Sequence, residues 1–375
     1  MSDHEPLLRQ LIDAVTADGS LRTDPWKKAA EAVPRHEFLR TGFFRAVPHT
    51  SPTAWAPVLQ DQDDWLSACY ADESLVTQIA GTIRPANIHG EIMREPTSSS
   101  TLPSLVLRML EDLLVEPDMN VLEVGTGTGY STAVLCARLG DDHVTSIEYD
   151  EGVAQQARDA LSRLGAFPTL LTGDGLAGHE HGAPYDRIIA TCAVHTVPAT
   201  WLEQTRPGGH ILTTIGGWLN ASELVRLTVH EDGTASGPVL SGQVSFMLAR
   251  PHLPRPIGLL PDLSAGNERE ALIGADVLTD WTTRFVAQFA APQAQHMNLR
   301  QGEQDEDVLI DATTGSWAAL YEENGRWIVR QGGPQPPWDA IEDHLGRWHA
   351  AGTPAIQKAV VRVTAQSQSI HWGHA

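Results

Sequence analysis

The spacing of apolar and polar positions changes twice along the chain. In the first ~50 residues it is helical: Leu7, Leu8, Leu11, Ile12 and Val15 share one face, and Trp26 to Val33 continues the pattern after Pro25. Residues 46–69 are rich in Pro, Asp and Trp, show poor periodicity, and predict a loop-rich cap. The polar run Thr97-Ser98-Ser99-Ser100-Thr101 then precedes Leu102-Pro103-Ser104, from which a helix can start and cover Leu105 to Leu114.

From Asn120 strands and helices alternate. Strands are predicted at Val121–Val124, Val144–Glu148, Pro168–Thr172, Tyr185–Ala190 and His210–Ile215. Helices are predicted at Ser131–Leu139, Val153–Leu164 and Thr200–Thr205. Strands separated by helices indicate a parallel sheet covered on both faces, the α/β class. After Gly216-Gly217 the spacing becomes hairpin-like, with Leu224–His230, a turn at Asp232-Gly233 and Val239–Ala249, so the sheet should end in an antiparallel pair. Pro251 to Pro261 carries four prolines and reads as a linker. Beyond it, Val308–Ile310, Ser316–Tyr321 and Trp327–Val329 predict strands, with Asn324-Gly325 as a hairpin turn. A helix at Pro337–Ala351 and a last strand at Ala359–Ala365 complete a small α+β region. The division expected is 1–104 (helical cap and acceptor segment), 105–250 (core) and 251–375 (accessory domain).

Composition narrows the function. The 375 residues carry 26 Lys plus Arg against 47 Asp plus Glu, a net charge of −21. Such a surface does not track phosphates, so no nucleic-acid partner is expected. Apolar runs are broken well short of the ~18–20 residues of a membrane span. The start, Met1-Ser2-Asp3-His4-Glu5, has no basic or apolar region of a secretion signal. Three cysteines (Cys69, Cys136, Cys192) without a Cys-x-x-Cys give neither a disulfide framework nor a zinc ribbon. A cytoplasmic enzyme-sized protein with no membrane association is the expectation.

The candidate chemistry sits at strand ends. Glu123-Val124-Gly125-Thr126-Gly127-Thr128-Gly129 closes the first strand of the alternating region. Its glycines permit a tight turn and let a ligand lie against the main chain. The spacing is Gly-x-Gly-x-Gly, not that of a pyrophosphate-binding turn, and no Walker Lys-Ser/Thr follows. Alone it reads more readily as an ordinary tight strand–helix turn. However, Glu148 ends the next strand, near the ~20-residue interval at which an acid meets ribose hydroxyls. Gly173-Asp174-Gly175 ends the third, where a carboxylate can accept from an adenine amino group. Either acid alone reads as a solvated loop residue. Together with the glycines they outline a crevice for an adenosine ligand lacking a pyrophosphate. The candidate cofactor set is Glu123, Gly125, Thr126, Gly127, Gly129, Tyr130, Glu148, Tyr149, Asp174, Gly175 and Thr191.

With these residues on the page, the sequence resembles S-adenosylmethionine (SAM)-dependent methyltransferases, and more closely the protein-L-isoaspartate O-methyltransferase family, over roughly residues 29–248. Val33-Pro34-Arg35-His36-Glu37-Phe38 is similar to that family's Val-Pro-Arg-x-x-Phe, and Tyr70-Ala71-Asp72 to its Tyr-x-Asp. Val121 to Tyr130 is the strongest block, and Pro207-Gly208-Gly209 is similar to a later signature. The resemblance implies a class I fold with a mostly parallel seven-stranded sheet, SAM as cofactor, and a carboxyl O-methyltransferase activity. The family's Ile-Ser-Ala/Gln-Pro appears here as Ser100-Thr101-Leu102-Pro103, so Thr101 takes the place of its Ser. That departure, the longer segment before it, Ala190-Thr191-Cys192-Ala193-Val194 and the 250–375 region resemble a longer branch associated with ribosomal peptide biosynthesis. Its members methylate an Asp of a lanthipeptide, graspetide or lasso peptide, and the ester collapses to aspartimide.

A carboxylate attacks a sulfonium methyl without a general base. The site needs only to align the reacting atoms at about 3 Å and exclude water. Ser99, Ser100 and Thr101 are the catalytic candidates, as hydroxyls that grip one carboxylate oxygen; capping the helix that follows is the competing role. No metal site is expected, since no two histidines are four apart and Gly178-His179-Glu180-His181 reads as a solvated loop. Cys192 reads as a small buried residue, and Trp317, Trp327, Trp338 and Trp348 as core of the last region. That region is left as a surface for peptide recognition or for a homodimer. The leading function is Asp methylation in a macrocyclic precursor peptide. The alternatives are isoaspartate repair in damaged proteins and, from another class, a non-enzymatic peptide- or partner-binding scaffold.

Overall fold

A computed structural model of the chain describes residues 4–301 and 304–372. It opens with α1 (Glu5–Ala17), whose apolar face buries Leu11, Ile12 and Val15, and α2 (Asp24–Glu31), which begins at a proline in its first turn. The first ~50 residues, read as helical, end in β1 (Phe43–Ala46), and the stretch expected to be loop-rich holds β2 (Trp55–Val58) and α3 (Trp65–Cys69). With β3 (Leu75–Ile79) and β4 (Pro96–Ser100) these strands form an antiparallel sheet in the order β2-β1-β3-β4. Its core is Phe44, Val76 and Ile79, with Trp55 and Ile92 against them. The prolines and acids of this segment lie in its turns and edges, which hides the strand period from the sequence.

The alternating region follows the expected grammar. It contains α4 (Pro103–Asp112), β5 (Val121–Val124), α5 (Tyr130–Leu139), β6 (Val144–Glu148), α6 (Glu151–Arg163), β7 (Thr169–Thr172), β8 (Tyr185–Val194), α7 (Ala199–Gln204) and β9 (Thr205–Gly216). β5 pairs in parallel with β6 and β8, and β6 with β7. Asp150 starts α6 by accepting from the Gly152 and Val153 amides, both at 3.0 Å.

Two compact units divide the chain. The first runs to Thr191 and includes Thr200–Leu212; the second comprises Cys192–Ala199 and the residues from Thr213 onward. In the second unit, β10 (Ser222–Val229) pairs antiparallel with β11 (Ala235–Gln243), which stops short of the expected Ala249. A five-stranded antiparallel sheet follows, β12 (Asn267–Glu270) and, after α8 (Trp281–Gln288), β13 (Ala294–Gln301), β14 (Gln304–Asp311), β15 (Ser316–Glu323) and β16 (Arg326–Gly332). Its core includes Val308, Ile310 and Trp317. The Asn324-Gly325 turn forms as expected, with φ of 52° and 75°. After α9 (Pro337–Ala350), the last strands are β17 (Val360–Val363) and β18 (Gln368–His371). β17 pairs with β11, so residues 360–371 do not belong to a separate accessory fold. Seven strands were expected in the main sheet; with β17 and β18 its order has nine. The apolar run at Ala359–Ala365 announces one strand, whereas β18 is too short and polar to stand out.

Candidate active site

β5 ends at Val124, level with Ile147 and Ala190 of its neighbours. The chain then turns through Gly125, Gly127 and Gly129, with φ of 95°, 55° and 91°. These left-handed conformations explain the three glycines, since a Cβ is strained there. Gly125 and Thr126 donate their amides to Ile147 O at 2.8 and 3.3 Å, which holds the turn on the end of β6. Glu148 accepts from the Gly127 amide at 2.9 Å through Oε2 and from the Asp150 amide at 3.0 Å through Oε1. Thr191 donates its hydroxyl to Gly125 O from within β8. Asp174 is exposed and accepts from the Leu176 amide at 2.9 Å, while the Gly175 backbone lies against the Val124 side chain so closely that a Cβ would collide. Tyr149 is half-exposed. The turn and the two acids therefore meet at three successive strand ends, as the spacing implied.

Three expected cofactor contacts turn their side chains inward. Glu123 is 0% exposed and accepts hydroxyl hydrogen bonds from Ser131, Thr132 and Ser146. Burial pushes its carboxyl up, and the three hydroxyls only partly offset this. Thr126 is buried with its hydroxyl 2.7 Å from Ser146 Oγ. The Tyr130 ring packs edge-on against Phe38, and its hydroxyl, without a hydrogen-bond partner among the described residues, is pushed up to about 12 by burial. These side chains are spent on packing and hydrogen bonds inside the protein.

The hydroxyl motif lies on β4, in register with β3 at Leu75↔Ser100 and Val76↔Ser99. Strand alternation buries Ser98 and Ser100 and leaves Ser99 half-exposed on the opposite face. A Cβ built on Gly127 would stand 3.5 Å from Ser99 O, so β4 runs directly beside the glycine turn. Ser100 is a correction: the residue is 2% exposed and its hydroxyl accepts from Arg35 Nε at 3.3 Å, so it is not presented to an acceptor. Thr101 and Ser99 keep partly open side chains. Capping of α4 falls to other residues: the Ser104 amide donates to Asp72 at 2.8 Å and the Leu102 amide to Ser74 at 3.1 Å.

Arg35 is the site residue whose role the sequence reading left out. It is 0% exposed and donates to the carbonyls of Cys69, Ala71, Glu73, Ser100 and Thr101 between 2.9 and 3.2 Å. Burial lowers its pKa, yet a guanidinium stays charged in a protein. One side chain thus joins the Tyr70-Ala71-Asp72 segment to the hydroxyl strand. Tyr70 in turn lies 2.7 Å from His36 Nδ1. Of the other candidates, burial pushes the Cys69 thiol up to about 12, which suits a structural thiol. His179 and His181 stack at 5.7 Å, and no group of three or more metal-ligating side chains occurs among the described residues. No helix among them is long and apolar enough to cross a membrane.

Comparison with known proteins bears on this geometry. A family model described as Protein-L-isoaspartate(D-aspartate) O-methyltransferase (PCMT) matches residues 82–247. A protein-L-isoaspartate O-methyltransferase of Staphylothermus marinus is 32% identical over 216 residues, which span 56% of this chain and 79% of that protein. The chain belongs to the protein-L-isoaspartate O-methyltransferase family. A second relative, from Aliivibrio fischeri, is 39% identical over 127 residues, 34% of this chain and 59% of its own length. A solved structure named protein-L-isoaspartate O-methyltransferase aligns with 98% of this chain and 100% of its own, with a TM-score of 0.57 at 21% identity. The class I methyltransferase fold is therefore shared, and residues 251–375 are not an addition relative to that structure. Membership in a family of methyl-transferring enzymes removes the scaffold reading.

Proposed function

We propose that this member of the family methylates the side-chain carboxyl of an Asp in a ribosomally made, macrocyclic precursor peptide, and that the ester then closes to an aspartimide. The activity is carboxyl O-methyl transfer and the cofactor is SAM. The observation that carries the reading is the seat of β4 on the glycine turn, with Ser99 O 3.5 Å from the position of a Gly127 Cβ. An acceptor held by the hydroxyl strand would thus stand beside a donor held by the turn.

The residues fit the cofactor. Bare backbone at Gly125 and Gly127 leaves room for a ligand against the main chain. The Gly127 and Asp150 amides fix the Glu148 carboxylate at the end of β6, where an acid meets ribose hydroxyls in such folds. Asp174 is exposed at the next strand end, where it can accept from an adenine amino group. SAM supplies, when bound, a methyl on a sulfonium, which needs no further activation. The acceptor carboxyl is ionised at neutral pH. Ser99 and Thr101 would each donate to one of its oxygens and leave the other to attack. Arg35 holds both residues' strand in place through the Ser100 and Thr101 carbonyls. In the ester, the following backbone nitrogen attacks the carbonyl, the imide ring closes and methanol departs.

A second reading, repair of isoaspartate in damaged proteins, is favoured by the alignment of nearly the whole chain with a structure that bears that activity's name. Mass spectrometry separates the two. Precursor modification gains one methyl on a macrocyclic peptide and then loses the equivalent of one water relative to the start, with negligible transfer to generic isoaspartyl peptides. Equal rates on such peptides would establish repair instead.

A further inference from the structure

β4 is the edge strand of the sheet β2-β1-β3-β4, so backbone pairing holds it on one side only. That pairing is also irregular. Val76 pairs with Ser99, Gln78 with Ser98 and Ile79 with Pro96, with a shift of register on either side of Gln78. Such irregularities re-aim a side chain. Here it is Gln78, 3% exposed and drawn into a chain of hydrogen bonds that leaves the sheet.

The direction of each bond in that chain is fixed by the one before it. The Gly81 amide donates to Thr97 Oγ1 at 2.9 Å, so the single Thr97 hydroxyl proton goes to Gln78 Oε1, 2.7 Å away. Gln78 Nε2 then donates to Asp150 Oδ2 at 3.2 Å, and an ionised carboxylate can only accept. Asp150 Oδ1 caps α6. The Asp150 amide donates to one oxygen of Glu148, whose other oxygen holds the Gly127 amide. Arg84, in the connection between β3 and β4, lies against the same turn: a Cβ on Gly152 would stand 2.5 Å from its Nη2. The hydroxyl strand is thus joined, side chain by side chain, to the acid and the glycine turn of the cofactor crevice.

Ser99 is bracketed by two anchors. Arg35 holds the strand beyond it, through the Ser100 and Thr101 carbonyls, and ties it to the Tyr70-Ala71-Asp72 segment. Gln78 holds the strand before it, through Thr97, and ties it to the turn that carries Glu148. We propose that Gln78 is a positioning residue for methyl transfer, setting the separation between the hydroxyl strand and the cofactor crevice. This rests on the reading that Ser99 and Thr101 hold the acceptor carboxyl. In-line attack tolerates little error in that separation, and a displacement of about 1 Å costs up to about a hundredfold in rate.

Reversing the polarity of one bond tests it. Gln78→Glu removes the donor and sets a second carboxylate against Asp150. Adding Asp150→Asn restores the bond, now donated from position 150, with net charge unchanged and a competent helix cap retained. Hydrogen exchange of residues 96–101 is followed on the full chain saturated with S-adenosylhomocysteine, which needs no acceptor. Gln78→Glu should raise exchange there about tenfold, with S-adenosylhomocysteine affinity within about twofold, and the paired variant should recover most of the protection. Thr97→Val breaks the chain at its other end without adding a charge, and keeps the test open if Gln78→Glu does not fold. It should raise exchange similarly, and little more in combination with Gln78→Glu. Transfer from SAM is measured on an isoaspartyl peptide and on a cyclic Asp peptide. On whichever is methylated, Gln78→Glu should lower kcat about tenfold or more with acceptor KM nearly unchanged, and the paired variant should regain it. Unchanged exchange in Gln78→Glu and Thr97→Val, or an unchanged kcat on a methylated peptide, overturns the inference. So does a joint loss of rate and cofactor affinity without recovery in the paired variant, the mark of a structural role. Exchange that rises and recovers without transfer to either peptide supports the tie between strand and crevice and defeats the acceptor reading.

Discussion

Arg35 grips Ser100 twice, from Nε to the hydroxyl at 3.3 Å and from Nη2 to the main-chain oxygen at 3.2 Å. Its remaining donors reach four more carbonyls, so the strand beside the cofactor turn is positioned by a charge that touches neither substrate nor cofactor. Arg35→Lys replaces a planar fork of five N–H groups with three donors on one nitrogen. Buried carbonyls such as those of Cys69 and Ser100, left unpaired, should cost about 1–3 kcal/mol each. Urea denaturation should show that loss, and in the folded fraction methyl transfer should fall while SAM affinity stays close to wild type. An unchanged midpoint would remove Arg35 from this role.

Hydroxyl substitutions should separate by face. Ser99→Ala and Thr101→Val should lower kcat strongly with little change in SAM affinity. Ser100→Ala should instead cost about 1 kcal/mol of stability, the value of one hydrogen bond, and act on kcat only through Arg35. Single-turnover rates and calorimetry on the three variants check this; equal loss of rate and cofactor affinity in all three would make the whole segment structural.

Glu148 and Asp174 should respond differently in calorimetry with SAM. Both alanine variants remove a charge-assisted hydrogen bond of about 1.5–3 kcal/mol, tenfold or more in affinity. Glu148→Ala should be the worse, because its carboxylate also holds the Gly127 amide. Asp174→Ala frees only the Leu176 amide at an exposed position. Wild-type affinity in both would defeat the adenosine assignment.

Glu123 gives a pH prediction whose sign follows from burial. Its folded-state pKa is raised above the unfolded value of about 4.3. Between the two values the folded state keeps a proton that the unfolded state has released, so stability falls as pH rises through that window. Glu123→Gln cannot ionise. The stability difference, variant minus wild type, should therefore grow as pH rises from about 4.3 and level off above the folded pKa. A flat difference across pH would show that burial does not hold the proton.

How much of this was legible in the sequence depended on burial pattern. β5, α5 and β6 were placed nearly residue for residue, because their apolar positions fall between clear glycine and turn signals that leave few alternatives. β1, β2 and β4 were not, since β1 and β2 are only four residues long and β4 is a run of Pro, Thr and Ser with no apolar period. Glu123 was counted among the cofactor contacts, yet it sits inside the run Val121-Leu122-Glu123-Val124. A lone acid within such a run, with hydroxyls at Ser131, Thr132 and Ser146, is the sign of an internal carboxylate. Arg35 was seen as part of a motif, but its partners are carbonyls, which every residue has. No side-chain pattern reveals them.

The pairing of β11 with β17 bears on how this chain can be cut and made. The prolines from Pro251 to Pro261 look like a natural place to shorten the protein. A chain stopped there would leave Ala235–Pro238 facing solvent along the row of backbone groups that Val360–Val363 now covers. An open, flat strand margin is a template for joining another molecule. Shortened versions should therefore precipitate or self-associate rather than yield a working catalytic core. During synthesis the same margin stays uncovered while everything between Gln243 and Val360 is translated, a long interval in which a chaperone, or a charged neighbour in sequence, has to keep it from the wrong partner.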